Sequence, residues 1–406
     1  MYVRLTMLLA LLVCATNAHA QGRIKKDEVD YQSQAFKSWW GQEMNWKLAD
    51  LPLEGKVPKY RIPYSGHDYP DRAGGVDVRT RGRYSALGKY DLAFHDGRGL
   101  TVAFERRDVN GHRGAGGGGG GLFGRRRGGF ENLDRPIGIF ARGRARRTTS
   151  WYGHCNGWTA ASMRHAEPQK SVVRNGVTFS PADIKGLLAE LYMYSDSEFL
   201  GGVDPAINPA TLHASVTNWL GRGDHPIGME TAVGKVVINY PVYSYKMTVK
   251  KRGERQHEVQ TWLTYAMNTG YETDKSPRIA KKMFFHYVLD TDKEGKITGG
   301  RYYGDSNRID MLWAALMPTQ GGKKGNEHGN PHMKVDKVLA IWRDSVPEEL
   351  RKKWLNIDPV LEDANLSDKE KAEIRRKRAE EAKKEKQAKA KKAAEKKKAA
   401  EAAAAQ

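Results

Sequence analysis

Cysteine is nearly absent from this chain. It occurs twice, as Cys14 and Cys155, and the first lies in a segment that reads as a leader. The one thiol left after processing cannot form an intramolecular disulfide, which excludes a disulfide-stapled scaffold. With so few thiols, and with twelve dispersed histidines of which His19 sits in the leader, a structural zinc site has no ligand spacing to rest on. Long apolar runs are missing too. Beyond the N-terminus no stretch approaches about 18 uncharged apolar residues, so no transmembrane segment is expected. Negative charge is the minority: 68 Lys and Arg face 48 Asp and Glu, a formal net of +20, which suits contact with anionic surfaces.

What is present begins with a leader. Arg4 precedes the apolar run Met7 to Val13, and Ala18-His19-Ala20 supplies small residues for cleavage before Gln21. Residues 1–20 therefore read as a signal peptide, and the mature chain is expected to be secreted or periplasmic. In such a compartment an unpaired cysteine is an oxidation hazard, so Cys155 needs a reason to be kept.

Two segments look non-globular. Residues 97–149 contain the tract Gly116 to Gly121, then Arg125-Arg126-Arg127 and Arg142, Arg144, Arg146 and Arg147. Glycine runs and dense positive charge disfavour packing, so this reads as a flexible basic loop. A solvated insertion is preferred over an Arg-Gly nucleic-acid binder, because Phe123 and Phe130 are its only aromatics between Gly111 and Arg135. The second segment, 361–406, is rich in Lys, Ala and Glu, and from about Ser367 it is built almost only from Ala, Lys, Glu and Arg. From Asp368 onward fifteen Lys and Arg face eight Asp and Glu, with Ile374 the one large aliphatic residue. That composition favours a solvated helix held by pairs at i and i+4, able to associate with an anionic surface by charge but not to enter a core. Nucleic acid is not the expected partner.

Between them the chain reads as folded. Asn156 to His165 is helix-compatible, placing Cys155 at a helix N-terminus, where backbone N–H groups and the helix dipole favour a thiolate. Ser180 caps a second helix with Pro181 at its first position and Ile184, Leu187, Leu188 and Leu191 as its apolar stripe. A third helix starts from Asn208-Pro209 and ends near Gly221. Lys235 to Lys250 alternates as one or two strands. Lys282 to Asp290 and Lys296 to Gly304 form a hairpin, with His286 in its first strand and Asp305 just past its second. A helix bearing Cys, then a strand bearing His and a paired strand ending in Asp, is the order in which papain-like folds assemble a thiol triad. His213 and Asp310 are the rivals for the base and the carboxylate. Trp151 and Trp158 flank the thiol, either to exclude water or simply to pack.

The block Tyr152-Gly153-His154-Cys155-Asn156-Gly157-Trp158-Thr159-Ala160-Ala161 resembles the nucleophile motif of the transglutaminase elicitor family, secreted transglutaminases of oomycete pathogens and their bacterial relatives. Other blocks are similar in the same order: Ile62 to Pro70, Gly88 to Asp91, Phe179 to Lys185, Ile207-Asn208-Pro209 with Asn218 to Gly221, and Gly299 to Ser306 leading to Leu312-Trp313. Val237-Ile238-Asn239-Tyr240-Pro241-Val242 resembles the surface peptide of that family that plants recognise, with Ile238 and Tyr240 departing from its Trp and Gln. The resemblance implies a glutamine γ-acyl transfer to a primary amine through Cys155, with His286 and Asp305 completing the triad. It implies protein partners with accessible Gln and Lys, and calcium as the one cofactor to consider. Asp290 to Ile297 resembles half of a calcium loop, but position twelve would be Arg301, which cannot ligate. A charged hairpin turn is the preferred reading there.

The expected fold is α+β: a papain-like or transglutaminase-like core with Cys on a helix N-terminus and His and Asp on a β-hairpin, plus an N-terminal extension and a helical charged tail. The expected divisions are 1–20 leader, 21–96 N-terminal part of the catalytic region, 97–149 basic loop, 150–360 catalytic domain and 361–406 tail. Two other classes remain open at this point: a papain-like cysteine peptidase or amidase, and a non-enzymatic polyanion-binding envelope protein.

Overall fold

The computed structural model describes residues 22–78, 83–115, 153–202, 206–231 and 237–357, together with Arg376. The expected leader, residues 116–152 and nearly all of the charged tail lie outside them, as does Trp151. The chain divides into two compact units, 1–359 and 360–406, and nearly all the described residues belong to the first. No helix among the described residues is long and apolar enough to cross a membrane.

The elements of this unit run β1 (Gly22–Arg23), α1 (Lys26–Trp40), β2 (Glu54–Lys56), α2 (Ala86–Phe94), α3 (Leu100–Ala115), α4 (Cys155–Arg164), β3 (Val172–Arg174), β4 (Val177–Phe179), α5 (Pro181–Tyr192), β5 (Ser197–Gly202), α6 (Pro209–Val216), β6 (Ile227–Thr231), β7 (Ile238–Lys251), β8 (Gln256–Ala266), β9 (Ala280–Thr291), β10 (Ile297–Tyr302), β11 (Ile309–Ala315), α7 (Val335–Ser345) and α8 (Glu348–Ile357). The sheet order is β1-β10-β9-β8-β7-β6-β11-β5, and β2 joins the β7 edge beyond β6. This is an α+β fold whose main sheet has nine strands. β7, β8 and β9 are long because their residues alternate: Tyr245, Met247, Val259, Leu263, Phe285 and Tyr287 are buried, while Lys246, Thr248 and Phe284 face out.

Local chemistry explains the helix starts. The Ser180 side chain accepts from Asp183 N while the Asp183 carboxylate accepts from Ser180 N, a reciprocal cap with Pro181 in the first turn. Asn208 caps α6 by a single bond, its side-chain oxygen accepting from Ala210 N at 2.9 Å, with Pro209 in the first turn. The expected third helix continues beyond Val216 only as a wider turn over Thr217–Arg222. The N-terminal extension is built into the unit. Phe36 and Trp39 of α1 lie edge-on to Trp219 at 5.8 and 5.0 Å, burials worth roughly 1.5–3 kcal/mol each.

The expected basic loop begins too early. Leu100–Ala115 is a helix, with Val102, Glu105 and Val109 buried along one side. A buried glutamate interrupts that stripe, which is why hydropathy alone concealed it. The rest of 97–149 lies outside the described residues.

Candidate functional site

Cys155 is the first residue of α4, and the chain reaches it through a tight passage. Gly153 bridges to Pro70, and His154 N donates to Asp68 O at 2.7 Å. A Cβ at Gly153 would stand 2.7 Å from that same Asp68 oxygen, so glycine is required. One turn on, a Cβ at Gly157 would meet Ala189 O at 2.2 Å, which is how α5 comes to lie flush against α4. Helix α4 packs on β6, β7 and β11.

The thiol is half-buried. Its S–H faces Val237 O at 3.8 Å, and Asn239 Nδ2 donates to Sγ at 3.7 Å. Asn239 is held in turn by Trp313 Nε1, which donates to its Oδ1 at 2.9 Å. Burial pushes the thiol pKa up, the Asn239 backbone and side-chain bonds pull it back, and the Asp68 carboxylate adds to the rise. Burial prevails, so the helix N-terminus does not by itself make the thiolate expected from sequence. Cys155 opens onto a cavity of about 450 Å³ whose walls include Asn239, Trp313, Met311 and Tyr192, with Asp196, Glu230, Glu327 and His328 among its polar groups.

Behind the thiol lies a second cluster. His154 is buried, with Nε2 2.8 Å from Glu190 Oε2 and 3.7 Å from Glu105 Oε1. Asn330 Nδ2 donates to the other Glu190 oxygen at 3.1 Å, and Val76 N donates to Glu105 Oε1 at 2.7 Å. Burial alone would push the His154 pKa down. The Glu105 charge and the Glu190 hydrogen bond and charge outweigh it and raise it to about 10, so the ring is an imidazolium at neutral pH. Burial, then Glu190, holds the Glu105 carboxyl well above the usual range. Among the described residues these three side chains are the group whose ligand atoms lie within 4.8 Å of one another.

The structure does not bring the expected triad together. His286 lies in β9 with Nε2 2.8 Å from Glu258 Oε1 and its ring 4.3 Å from that of Tyr303. Its rung reads Thr248, Gln260, His286 across β7, β8 and β9. From Asn239, at the thiol, to Thr248 is about 30 Å of strand at roughly 3.3 Å per residue. Asp305 is exposed and ion-paired to Arg308, not to His286. The rival His213 is buried in α6 against Tyr287, with Nδ1 2.9 Å from the phenol oxygen, and burial lowers its pKa to about 3. Asp310 is buried within β11. Among the described residues no imidazole hydrogen-bonds the thiol. Trp158 is buried, its side chain against Gly66, and therefore packs. The Asp290 to Ile297 segment is a hairpin turn in which Asp292 Oδ1 accepts from Glu294 N and Lys296 N at 3.0 and 2.8 Å.

Sequence reasoning missed Asn239, Trp313 and Asp68 as neighbours of the thiol. The signal was there: each lies in one of the blocks collinear with the elicitor family, and those blocks meet at Cys155.

Residues 144–200 match the family model described as Transglutaminase elicitor. The family resemblance holds. Among solved structures, the crystal structure of the GP42 transglutaminase from Phytophthora sojae matches with a TM-score of 0.58 at 21% identity, over 80% of this chain and 99% of that one. At that identity the match establishes a shared fold. No curated protein matches the sequence.

Proposed function

We propose that this chain is an exported thiol acyltransferase of the transglutaminase type, with Cys155 as its nucleophile. The observation that carries the reading is the place of that sulfur: first residue of a helix, opening on a cavity, with an amide N–H aimed at it. In the first step the sulfur attacks a glutamine γ-carboxamide; an S–C bond forms, the C–N bond breaks, and the thiol proton leaves with ammonia. In the second a primary amine attacks the thioester, an isopeptide bond forms and the thiol is restored.

Two features of the site support this direction. Asn239 is anchored by Trp313 beside the reacting sulfur, so its N–H can bind the oxygen of the tetrahedral intermediate. Asp196, Glu230 and Glu327 give the cavity a negative wall that attracts a protonated amine such as a lysine side chain. The loop that binds the residue before the thiol also carries Asp68, whose charge reaches the sulfur and which stands 3.4 Å from His67 Nδ1.

A non-catalytic reading is favoured by one observation, the burial-raised thiol without a bonded imidazole. Incubating the protein with a glutamine-containing protein and a labelled primary amine separates the two. Label incorporated by the native chain and not by Cys155→Ala supports the acyltransferase. New peptide termini without label would indicate a peptidase, and no covalent change would support the non-catalytic reading.

A further inference from the structure

The outward face of β7, β8 and β9 carries a connected row of aromatic rings far from the thiol. Trp262 and Phe284 are opposite one another in the register, with ring centroids 5.0 Å apart. Phe284 lies 6.3 Å from His286, and His286 lies 4.3 Å from Tyr303. Rings on the other face of these strands, such as Phe285 and Tyr287, are wholly buried, whereas Phe284 is 41% exposed. Cross-strand packing accounts for a pair of such rings, but not for a continuous row in which Phe284 is exposed and Trp262, His286 and Tyr303 are each half-buried.

The surroundings of the row are polar and mainly basic. Lys246 shares the rung of Trp262 and Phe284, and Lys282 lies one rung over beside Thr264. Lys56, Lys250 and Arg252 are exposed nearby, Arg252 standing 5.9 Å from the Tyr303 ring. Against these five cations the same face presents Glu54, Glu258 and Asp290, of which Glu258 is engaged by His286 and Arg252 and Asp290 accepts from Gln256 Nε2.

We infer that this sheet face is a binding platform for an anionic polysaccharide. The negative faces of the aromatic rings suit the C–H surface of pyranose rings stacked along the row. Lysine and arginine meet the carboxylate or sulfate groups, and Gln260 and Thr264 meet hydroxyls. The inference is independent of Cys155 chemistry. It assigns His286 a place in a binding surface instead of in a triad.

The test is titration of the full-length protein with an oligogalacturonate at fixed ionic strength. A neutral galactan and a single-stranded dT oligomer serve as comparisons. Removing the stack with Trp262→Ala/Phe284→Ala weakens oligogalacturonate binding by about tenfold or more, as for hot-spot aromatics. The charge reversal Lys246→Glu/Lys282→Glu, at exposed positions that leave the core intact, weakens it and flattens its salt dependence. It carries the test if the aromatic variant unfolds. Binding unchanged in both variants would place the interaction in charge elsewhere on the chain and overturn the inference. So would equal affinity for the galactan, or tighter, ring-dependent binding of the dT oligomer.

Discussion

The two ends of β7 present contrasting histidines. At the Asn239 end, His154 is buried between two glutamates, next to a half-buried thiol at the edge of a cavity. At the other end, two strands across, His286 is partly exposed with a solvent-facing glutamate and a tyrosine ring. The sequence order Cys, His, Asp suggested that the second histidine serves the first end. Topology does bring the hairpin into the same sheet as the strands beneath α4. Register then sets the distance, and it places His286 far along the strands from the sulfur.

That contrast can be broken or sharpened by substitution. Cys155→Ala has the largest expected effect: complete loss of amine incorporation and of iodoacetamide labelling, with the unfolding transition retained. Turnover that persists would place the chemistry elsewhere. Next comes Glu190→Ala, which removes the hydrogen-bonding carboxylate of buried His154 and is expected to cost about 3–5 kcal/mol in urea unfolding, whereas Glu258→Ala at the exposed end leaves the urea midpoint close to the native one. Similar costs would erase the distinction between the two sites.

The pH dependence follows from the same cluster. The folded pKa of His154, about 10, lies above the imidazole value of 6.5. Its proton therefore stabilises the fold fully below about pH 6.5, and that contribution is lost as pH rises through about 10. His165 and His213 have folded values lowered to about 3, so their contribution is present above about pH 6.5 and is lost as pH falls toward 3. Urea midpoints should decline on both sides, and His154→Gln should flatten the alkaline side only. An unchanged alkaline slope in that variant would remove His154 as its source.

Smaller effects test the geometry around the sulfur. Asn239→Ala should slow acylation by about a hundred- to a thousandfold, on the scale of a lost oxyanion donor, and should move the alkylation profile of Cys155 to higher pH. His286→Ala should leave turnover of a soluble substrate near the native rate. If turnover vanished there while the fold survived, the register-based separation would be refuted.

Much of the scaffold was legible. Ser180 and Pro181 announced α5, Asn208 announced α6, and alternation with a charged turn announced the hairpin, because these signals are local. The cysteine at a helix start was legible for the same reason. What stayed hidden is non-local. Helix α3 carries a buried glutamate that looks like a solvent residue until His154 is seen beside it. Asn239 shows no chemistry until β7 is laid under α4, and period-two alternation fixes which face His286 takes but not how far along the sheet it sits. The raised thiol pKa was hidden too, since burial opposes the helix N-terminus and only packing shows which prevails.

The central claim is that the sulfur of Cys155 carries the acyl group. It is tested most directly by mixing the protein with a glutamine peptide in the absence of amine, quenching in acid and mapping the adduct by mass spectrometry. The account predicts the peptide, minus ammonia, joined to Cys155 and released on adding a primary amine. An unmodified Cys155 under conditions where glutamine is consumed would contradict it.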